Sequence, residues 1–203
     1  MAQGNEGVFI YYNNGDGKFS GKQLLQFPPS YGCNSMDVVD MNNDGFDDLV
    51  ITNGDNGDYP PVLKPYHGIR IFLNDGKYNF TEKAFLQVNG VGKAIANDFD
   101  RDGDIDLASI AYFPDFDNKP GEAFIYWENQ GSLSFKAFTF DRVSEGRWLT
   151  MDAGDMDADG DIDIILGNAY FSLGYIPERL KKKWDVHSPS VIVLKNNLRK
   201  ASP

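Results

Sequence analysis

Three acidic stretches of the chain decide its fold: DMNNDGFDDLVIT from Asp40, DFDRDGDIDLASI from Asp98 and DMDADGDIDIILG from Asp155. Their starts lie 58 and 57 residues apart. A fixed period of this length is typical of repeat architectures, in which each repeat is one supersecondary unit. Each stretch runs directly into an apolar segment, so the sequence predicts an acidic loop followed by a strand three times.

The segments around the acidic loops have the composition of β-strands and tight turns. β-Branched and aromatic residues are concentrated in 49–52, 69–73 and 191–194, as is usual for strands, and Asn-Asp-Gly and Asn-Gln-Gly favour hairpin turns. The only helix we expect is a short one around 176–183. About four strands fit into each period, which predicts an all-β fold of β-propeller blades, each a four-stranded antiparallel sheet.

The chain of 203 residues contains about three and a half periods of 57 to 58 residues. The N-terminal segment, GVFIYYNNGDGKF from Gly7, supplies the last two strands of a blade, and the last repeat ends after its third strand. Propellers typically have four or more blades. We therefore expect residues 1–203 to form a single propeller segment that belongs to a larger propeller or is completed by a second copy or partner. An open stack with exposed edges is the alternative.

Each acidic loop has the ligand spacing of a calcium site, D-x-[DN]-x-D-G-x-x-D. Side-chain oxygens stand at positions 1, 3, 5 and 9, the carbonyl at position 7 is a further ligand, and the glycine permits a sharp turn. We refer to residues 40–48, 98–106 and 155–163 as loops 1, 2 and 3. The predicted ligands are Asp40, Asn42, Asp44, Phe46 and Asp48 in loop 1, Asp98, Asp100, Asp102, Asp104 and Asp106 in loop 2, and Asp155, Asp157, Asp159, Asp161 and Asp163 in loop 3.

An EF-hand shares this opening pattern but needs a bidentate Glu at position 12. Ile51, Ser109 and Leu166 occupy that position, so the sequence excludes an EF-hand. Oxygen ligands without His or Cys favour Ca²⁺ over zinc or copper, and Mg²⁺ fits such cages less well. The sequence thus predicts three Ca²⁺ sites, of which loop 1 is the weakest because it has one carboxylate fewer. Three solvated Asp-Gly turns are the alternative.

The charge of the chain agrees with the metal prediction. The net charge is -11, from 30 acidic and 19 basic residues. Eleven carboxylates stand at the predicted side-chain ligand positions, and without them acidic and basic residues balance. Such an acidic chain is a poor partner for nucleic acid, and it has no apolar run of the roughly 20 residues that membrane insertion requires. Cys33 is the only cysteine, which excludes an internal disulfide or a Cys-based zinc site.

The acidic loops with their following strands resemble the FG-GAP and VCBS repeat family, which is related to the β-propeller of integrin α-subunits. The segment IFLNDGKYNF from Ile71 is similar to the strand and turn of that family. Tyr31-Gly32 and Thr52-Asn53-Gly54 stand where Phe-Gly and Gly-Ala-Pro would be, a departure that points to the VCBS-like branch. The resemblance implies a calcium-bearing propeller that is extracellular, at the cell surface or periplasmic, and serves adhesion or carbohydrate binding or is attached to a secreted enzyme.

The end of the blades opposite the acidic loops is the predicted ligand face. The connections after the second strand of each repeat emerge there, and their aromatic residues suit contacts with a glycan or an extracellular protein. Phe116 and Tyr175 also lie in these connections. The alternative is that the aromatics fill gaps between blades. The predicted ligand contacts are Tyr59, Tyr66, His67, Phe113, Arg147, Trp148, Tyr170, Trp184 and His187.

The sequence predicts no catalytic residues. It has two histidines and none of the nucleophile, zinc-protease or phosphate-loop motifs. The alternative function is the propeller part of a polysaccharide lyase or glycoside hydrolase, with His67 or His187 acting together with Tyr66 or Arg147.

Overall fold

The computed structural model describes residues 6–57, 62–170 and 173–198. Within these ranges the chain is almost entirely β-structure, with one α-helix and two short 3-10 helices. The strands are β1 (Glu6–Asn13), β2 (Phe19–Phe27), β3 (Cys33–Val39), β4 (Asp48–Asn53), β5 (Gly68–Asn74), β6 (Phe80–Gln87), β7 (Val91–Asn97), β8 (Asp106–Ala111), β9 (Phe124–Asn129), β10 (Phe135–Phe138), β11 (Trp148–Gly154), β12 (Asp163–Asn168) and β13 (Val191–Leu194). The helix is α1 (Glu178–Val186), and the 3-10 helices are Pro120–Ala123 and Val143–Glu145.

The strands form four antiparallel sheets in sequence order. The orders are β1-β2, β3-β4-β5-β6, β7-β8-β9-β10 and β11-β12-β13. We call them the N-terminal hairpin, blade 1, blade 2 and blade 3. The predicted blades of four antiparallel strands are confirmed, as are the hairpin at the start and the three-stranded sheet at the end. Among the described residues the hairpin does not pair with blade 3.

The three blades repeat one local irregularity. The pairing of the first two strands shifts register between Cys33 and Ser35, between Val91 and Lys93, and between Trp148 and Thr150. A β-bulge at the start of the first strand bends that strand and increases its twist. The same bend in each blade shows that the period in the sequence is also a period in the backbone.

The second strand of each complete blade lies in the core. All six residues of β4 and all six of β8 are buried, because neighbouring sheets cover both of their faces. Strands covered on both faces carry near-continuous apolar runs instead of alternation, which explains LVI in β4 and LASIA in β8. The buried clusters include Val50, Ile71 and Leu107 between blades 1 and 2, Ile110, Trp148 and Leu166 between blades 2 and 3, and Phe27, Ile51 and Phe72 between the hairpin and blade 1.

Helix α1 lies in the long connection between β12 and β13, close to the predicted position. Its Leu180 and Trp184 are buried with Phe116 and Ile176. The helix thereby covers the connection between β8 and β9. In the described part of the chain, no helix has the length and apolarity to cross a membrane.

The connections separate the molecule into two ends. Loops 1, 2 and 3 join β3 to β4, β7 to β8 and β11 to β12, as the sequence predicts. Because neighbouring strands are antiparallel, the connections after β4, β8 and β12 emerge at the other end. The acidic loops and the long connections therefore lie at opposite ends of the blades.

Candidate metal centres and the opposite loop face

The three acidic loops have one backbone conformation. The glycine at position 6 has a φ of 88°, 97° and 93° in loops 1 to 3, a region that glycine enters without steric cost. Its N–H donates to the Asp at position 1 in every loop. The N–O distances are 2.7 Å from Gly45 to Asp40, 3.1 Å from Gly103 to Asp98 and 3.0 Å from Gly160 to Asp155.

The carboxylate at position 5 is held in a similar way. It accepts a hydrogen bond from the N–H of the residue at position 7, which is a predicted carbonyl ligand. The N–O distances are 2.9 Å from Phe46 to Asp44, 2.8 Å from Asp104 to Asp102 and 2.9 Å from Asp161 to Asp159. Hydrogen bonds within each loop thus hold these two carboxylates in place without an ion.

The Asp at position 9 is the first residue of the second strand and is buried in all three repeats. In loop 1 the Asp48 carboxylate accepts from the Met41 N–H at 2.9 Å and the Asn74 N–H at 2.8 Å. Asp106 and Asp163 make the equivalent pairs of bonds. Burial raises the pKa of Asp48 and of Asp106 above the usual value. These carboxylates therefore join the loop to the end of the third strand at the cost of desolvating a charge.

In loops 2 and 3, three carboxylates approach one another closely. One oxygen each of Asp98, Asp100 and Asp106 lies within 4.8 Å of the others, and the same holds for Asp155, Asp157 and Asp159. Burial, together with neighbouring carboxylates including that of Asp106, raises the pKa of Asp100. Like charges at such distances repel unless a cation lies between them. Grouped carboxylate oxygens of this kind fit a hard divalent cation such as Ca²⁺.

Loop 1 differs from the other two. Its carboxylates do not form such a group among the residues that the structure describes. The Asn42 side-chain NH₂ instead donates a hydrogen bond to Asp44 Oδ2 at 2.9 Å. At position 3, loop 1 therefore has a neutral amide where loops 2 and 3 have a carboxylate. This agrees in direction with the prediction that loop 1 is the weakest site, which stays a prediction.

Neighbouring loops contact one another through the residue at position 4. Asn43 Nδ2 donates to the Gly103 carbonyl at 3.0 Å, and Arg101 Nη1 lies 3.2 Å from Asp161 Oδ1. Sequence reasoning missed these contacts, although both residues stand at the same position of the repeat. It also missed Lys195, whose ammonium contacts the carboxylates of loop 3.

Four of the predicted ligand contacts lie in the interior: His67, Arg147, Trp148 and Trp184. The indole N–H groups of the two tryptophans donate to backbone carbonyls, Trp148 to Val143 at 2.8 Å and Trp184 to Ser144 at 3.0 Å. Burial lowers the pKa of His67 to about 4, so that this imidazole is neutral at physiological pH. All four side chains are thus packed in the interior, and their role as ligand contacts stays a prediction.

The other predicted contacts are closer to solvent. Tyr66 is half-buried and stacks on Tyr31 with ring centroids 5.0 Å apart. Tyr170 is half-buried against Trp184, and His187 is exposed. Tyr59 lies outside the described residues. Tyr66 lies in the connection after β4, and Tyr170 and His187 lie in the connection after β12.

Phe113 is the predicted contact that lines a cavity. The cavity has a volume of about 260 Å³ and lies between the connections that follow β4, β8 and β12. The buried Arg147 guanidinium lies 3.7 Å from the Tyr112 ring centroid and 5.1 Å from that of Phe113. Cation–π contacts of this kind help to hold the rings of Tyr112 and Phe113 in position. Sequence reasoning missed the polar lining residues Asn56, Asp115 and Asp117, because nothing local distinguishes them from other loop residues.

The family comparison agrees with the repeat in the backbone. The model of the FG-GAP-like repeat matches residues 1–51 and 98–166. The two matched ranges contain loops 1, 2 and 3. No curated protein matches the chain.

Proposed function

The chain belongs to the FG-GAP-like repeat family, and from this premise we propose that it is a calcium-binding β-propeller module of a secreted or cell-surface protein. Loops 1, 2 and 3 hold Ca²⁺, and the connections at the opposite end bind a glycan or an extracellular protein. Calcium sites of extracellular modules fill at about 0.1 to 1 mM, and we expect these loops to fill in the same range.

The observation that carries the calcium proposal is the convergence of Asp98, Asp100 and Asp106 within 4.8 Å at the start of a buried strand. All three are side chains at predicted ligand positions, and the loop backbone holds them together through its own N–H groups. Ca²⁺ would supply the positive charge that offsets their repulsion. Asp98 and Asp100, both half-buried, would bind from the loop, and Asp106 would bind from the start of β8.

The recognition part of the proposal is supported by the division of the blades into two ends. The end without the acidic loops carries the long connections, which include a partly buried Phe113 and an exposed Tyr175. Loops positioned by rigid strands are common sites of binding. A calcium-stabilised scaffold that presents such loops is suited to adhesion or carbohydrate recognition.

The test is the thermal stability of the purified chain with 5 mM CaCl₂ and with excess EGTA, together with calorimetric Ca²⁺ titration. A site with a Kd of about 0.1 mM is at about fifty times its Kd in 5 mM CaCl₂, so its occupancy should raise the melting temperature by about 5 to 9 °C. Asp100→Asn should weaken Ca²⁺ binding, and the matched variant Asp141→Asn, at an exposed residue outside the loops, should not. An identical melting temperature in CaCl₂ and EGTA would overturn the proposal.

A further inference from the structure

A small cavity at the end opposite the acidic loops has the features of a binding site. Three connections form its walls, with Asn56 and Leu63 from the first, residues 113–118 from the second and Tyr175 from the third. At about 260 Å³ it is smaller than the roughly 300 to 1,000 Å³ of sites for drug-sized ligands. Its size suits one ring and its substituents.

Asn56 supplies a buried polar side chain to the lining of this cavity. Its side chain is 4% exposed, and its Oδ1 atom has no hydrogen-bond partner within the described residues. A buried amide oxygen without a partner costs about 1 to 3 kcal/mol. A ligand that brings a hydroxyl or N–H donor to Oδ1 removes that cost, so the position favours a ligand with donors.

The walls of the cavity are held by the fold. Asp115 accepts hydrogen bonds from the side chain and backbone of Asn118, and its own N–H donates to Glu122. The Tyr175 hydroxyl donates to Asp117 Oδ2 at 2.9 Å. Arg179, from helix α1, donates to the Phe116 carbonyl at 2.6 Å. The second and third connections are thereby joined, and a ligand would meet a largely preformed surface.

The chemistry of the walls selects among ligands. The rings of Phe113 and Tyr175 and the Leu63 side chain offer apolar surface, which suits the C–H groups of a sugar ring. Asp115 and Asp117 are the charged residues of the lining within the described residues, and both are acidic. Arg179 lies 3.4 Å from Asp117 Oδ1 and offsets part of this charge. The two lining carboxylates still disfavour a carboxylate or sulfate on the ligand, whereas neutral hydroxyl groups would find acceptors.

We infer that this cavity binds one neutral sugar residue of a glycan, with Asn56 Oδ1 and Asp117 accepting from its hydroxyl groups and Phe113 and Tyr175 contacting its ring. The inference rests on the proposed recognition function and gives it a place and a ligand class. It also assigns a preference: neutral sugars are bound, and uronic acids are not.

The experiment is saturation-transfer NMR and calorimetry on the full chain in CaCl₂, with the methyl glycosides of glucose, galactose, mannose and N-acetylglucosamine, and with methyl glucuronide as the acidic probe. At least one neutral glycoside should show saturable binding in the millimolar range, and methyl glucuronide should bind at least tenfold more weakly. Calcium-free samples of the same protein preparations are titrated with Ca²⁺ by calorimetry.

Three variants at the cavity and one control locate the site. Asn56→Ala and Tyr175→Ala should each weaken binding of the neutral glycoside at least tenfold, whereas Tyr11→Ala, at an exposed tyrosine of β1, should leave it unchanged. Asp117→Asn should reduce the discrimination against methyl glucuronide at least threefold. Melting curves confirm that each variant is folded, and Tyr175→Ala, at an exposed position, keeps the test valid if the buried Asn56→Ala does not fold.

The outcomes separate this inference from the calcium proposal. A chain that binds Ca²⁺ but none of the neutral glycosides overturns the cavity assignment alone, as does binding that Tyr175→Ala leaves unaffected. Binding of methyl glucuronide as tight as that of the neutral glycosides overturns the ligand class. Glycoside binding by a chain that does not bind Ca²⁺ overturns the calcium proposal and leaves the cavity assignment in place.

Discussion

Lys195 places its ammonium 3.5 Å from Asp159 Oδ2 in loop 3 and also contacts Asp157 Oδ2. A hydrogen bond from Lys195 lowers the pKa of Asp157 below its usual value. Loop 3 therefore has a cation of its own, supplied by the residue that follows β13. Under the proposed function Ca²⁺ competes with this lysine in loop 3. Loop 2 has carboxylates at all four side-chain ligand positions, and within the described residues no lysine forms an ion pair with them. We therefore expect loop 2 to bind Ca²⁺ most tightly.

Removal of this lysine should strengthen Ca²⁺ binding. We expect Lys195→Gln to raise one of the macroscopic Ca²⁺ association constants about two- to fivefold, because an exposed ion pair no longer competes. Calorimetric titration at low ionic strength measures the change. Lys182→Gln, at an exposed residue of α1, is the control for the loss of one positive charge. Unchanged affinity in Lys195→Gln would mean that the lysine moves aside without cost.

The two kinds of carboxylate in loop 2 should respond differently to amidation. Asp106 is buried and accepts from two backbone N–H groups and from the Tyr126 hydroxyl at 2.8 Å. We expect Asp106→Asn to cost about 1 to 3 kcal/mol of unfolding free energy even in EGTA, because an amide cannot accept all of these bonds. Asp100→Asn should destabilise the protein only when Ca²⁺ is present. Urea denaturation of both variants with and without Ca²⁺ measures this, and equal effects of Asp106→Asn and Asp100→Asn in EGTA would contradict it.

His67 should make the stability depend on pH below neutrality. Its folded pKa is lowered to about 4 from 6.5, first by burial and then by Lys64. The unfolded chain binds a proton below pH 6.5 and the folded chain does not, so stability falls as pH falls from about 6.5 towards about 4. The loss is at most about 3 kcal/mol at pH 4.

Denaturant unfolding between pH 7 and pH 4 measures the loss. His67→Gln should flatten the pH dependence in this window. His187→Gln, at the exposed histidine, should keep the wild-type slope, and the prediction fails if it flattens the curve as much as His67→Gln.

A side chain at position 54 should destabilise the protein for steric reasons. Its N–H donates to the Gly32 carbonyl at 2.9 Å, and a Cβ at this position would overlap the backbone of Val91 at the start of β7. We expect Gly54→Ala to cost about 2 to 3 kcal/mol, because blades 1 and 2 would have to move apart. Gly92→Ala is the matched control, since its Cβ would be 3.9 Å from the Ile110 carbonyl. Thermal denaturation compares the two, and equal costs would contradict the prediction.

The structural elements that depend on local sequence could be predicted. The positions of side chains that depend on contacts between distant parts of the chain could not. The loops, the strands and helix α1 follow from a 57- to 58-residue period, residue composition and turn chemistry. The burial of Trp148 could not be predicted, because it depends on how blade 3 packs against blade 2. Asn56 and Lys195 were missed for the same reason: the cavity joins three connections, and the lysine lies 38 residues from Asp157.

The contacts from Asn43 to Gly103 and from Arg101 to Asp161 run in one direction along the chain, from each loop to the next. Loop 2 thus touches both of its neighbours, while loops 1 and 3 have contacts of this kind only with loop 2 in the described part of the chain. If the loops bind Ca²⁺ as proposed, we expect occupancy of loop 2 to alter the affinity of loops 1 and 3, and reciprocity then requires that their occupancy alters the affinity of loop 2 by the same factor. We therefore expect the Ca²⁺ isotherm of the wild-type chain to be that of interacting sites coupled through loop 2.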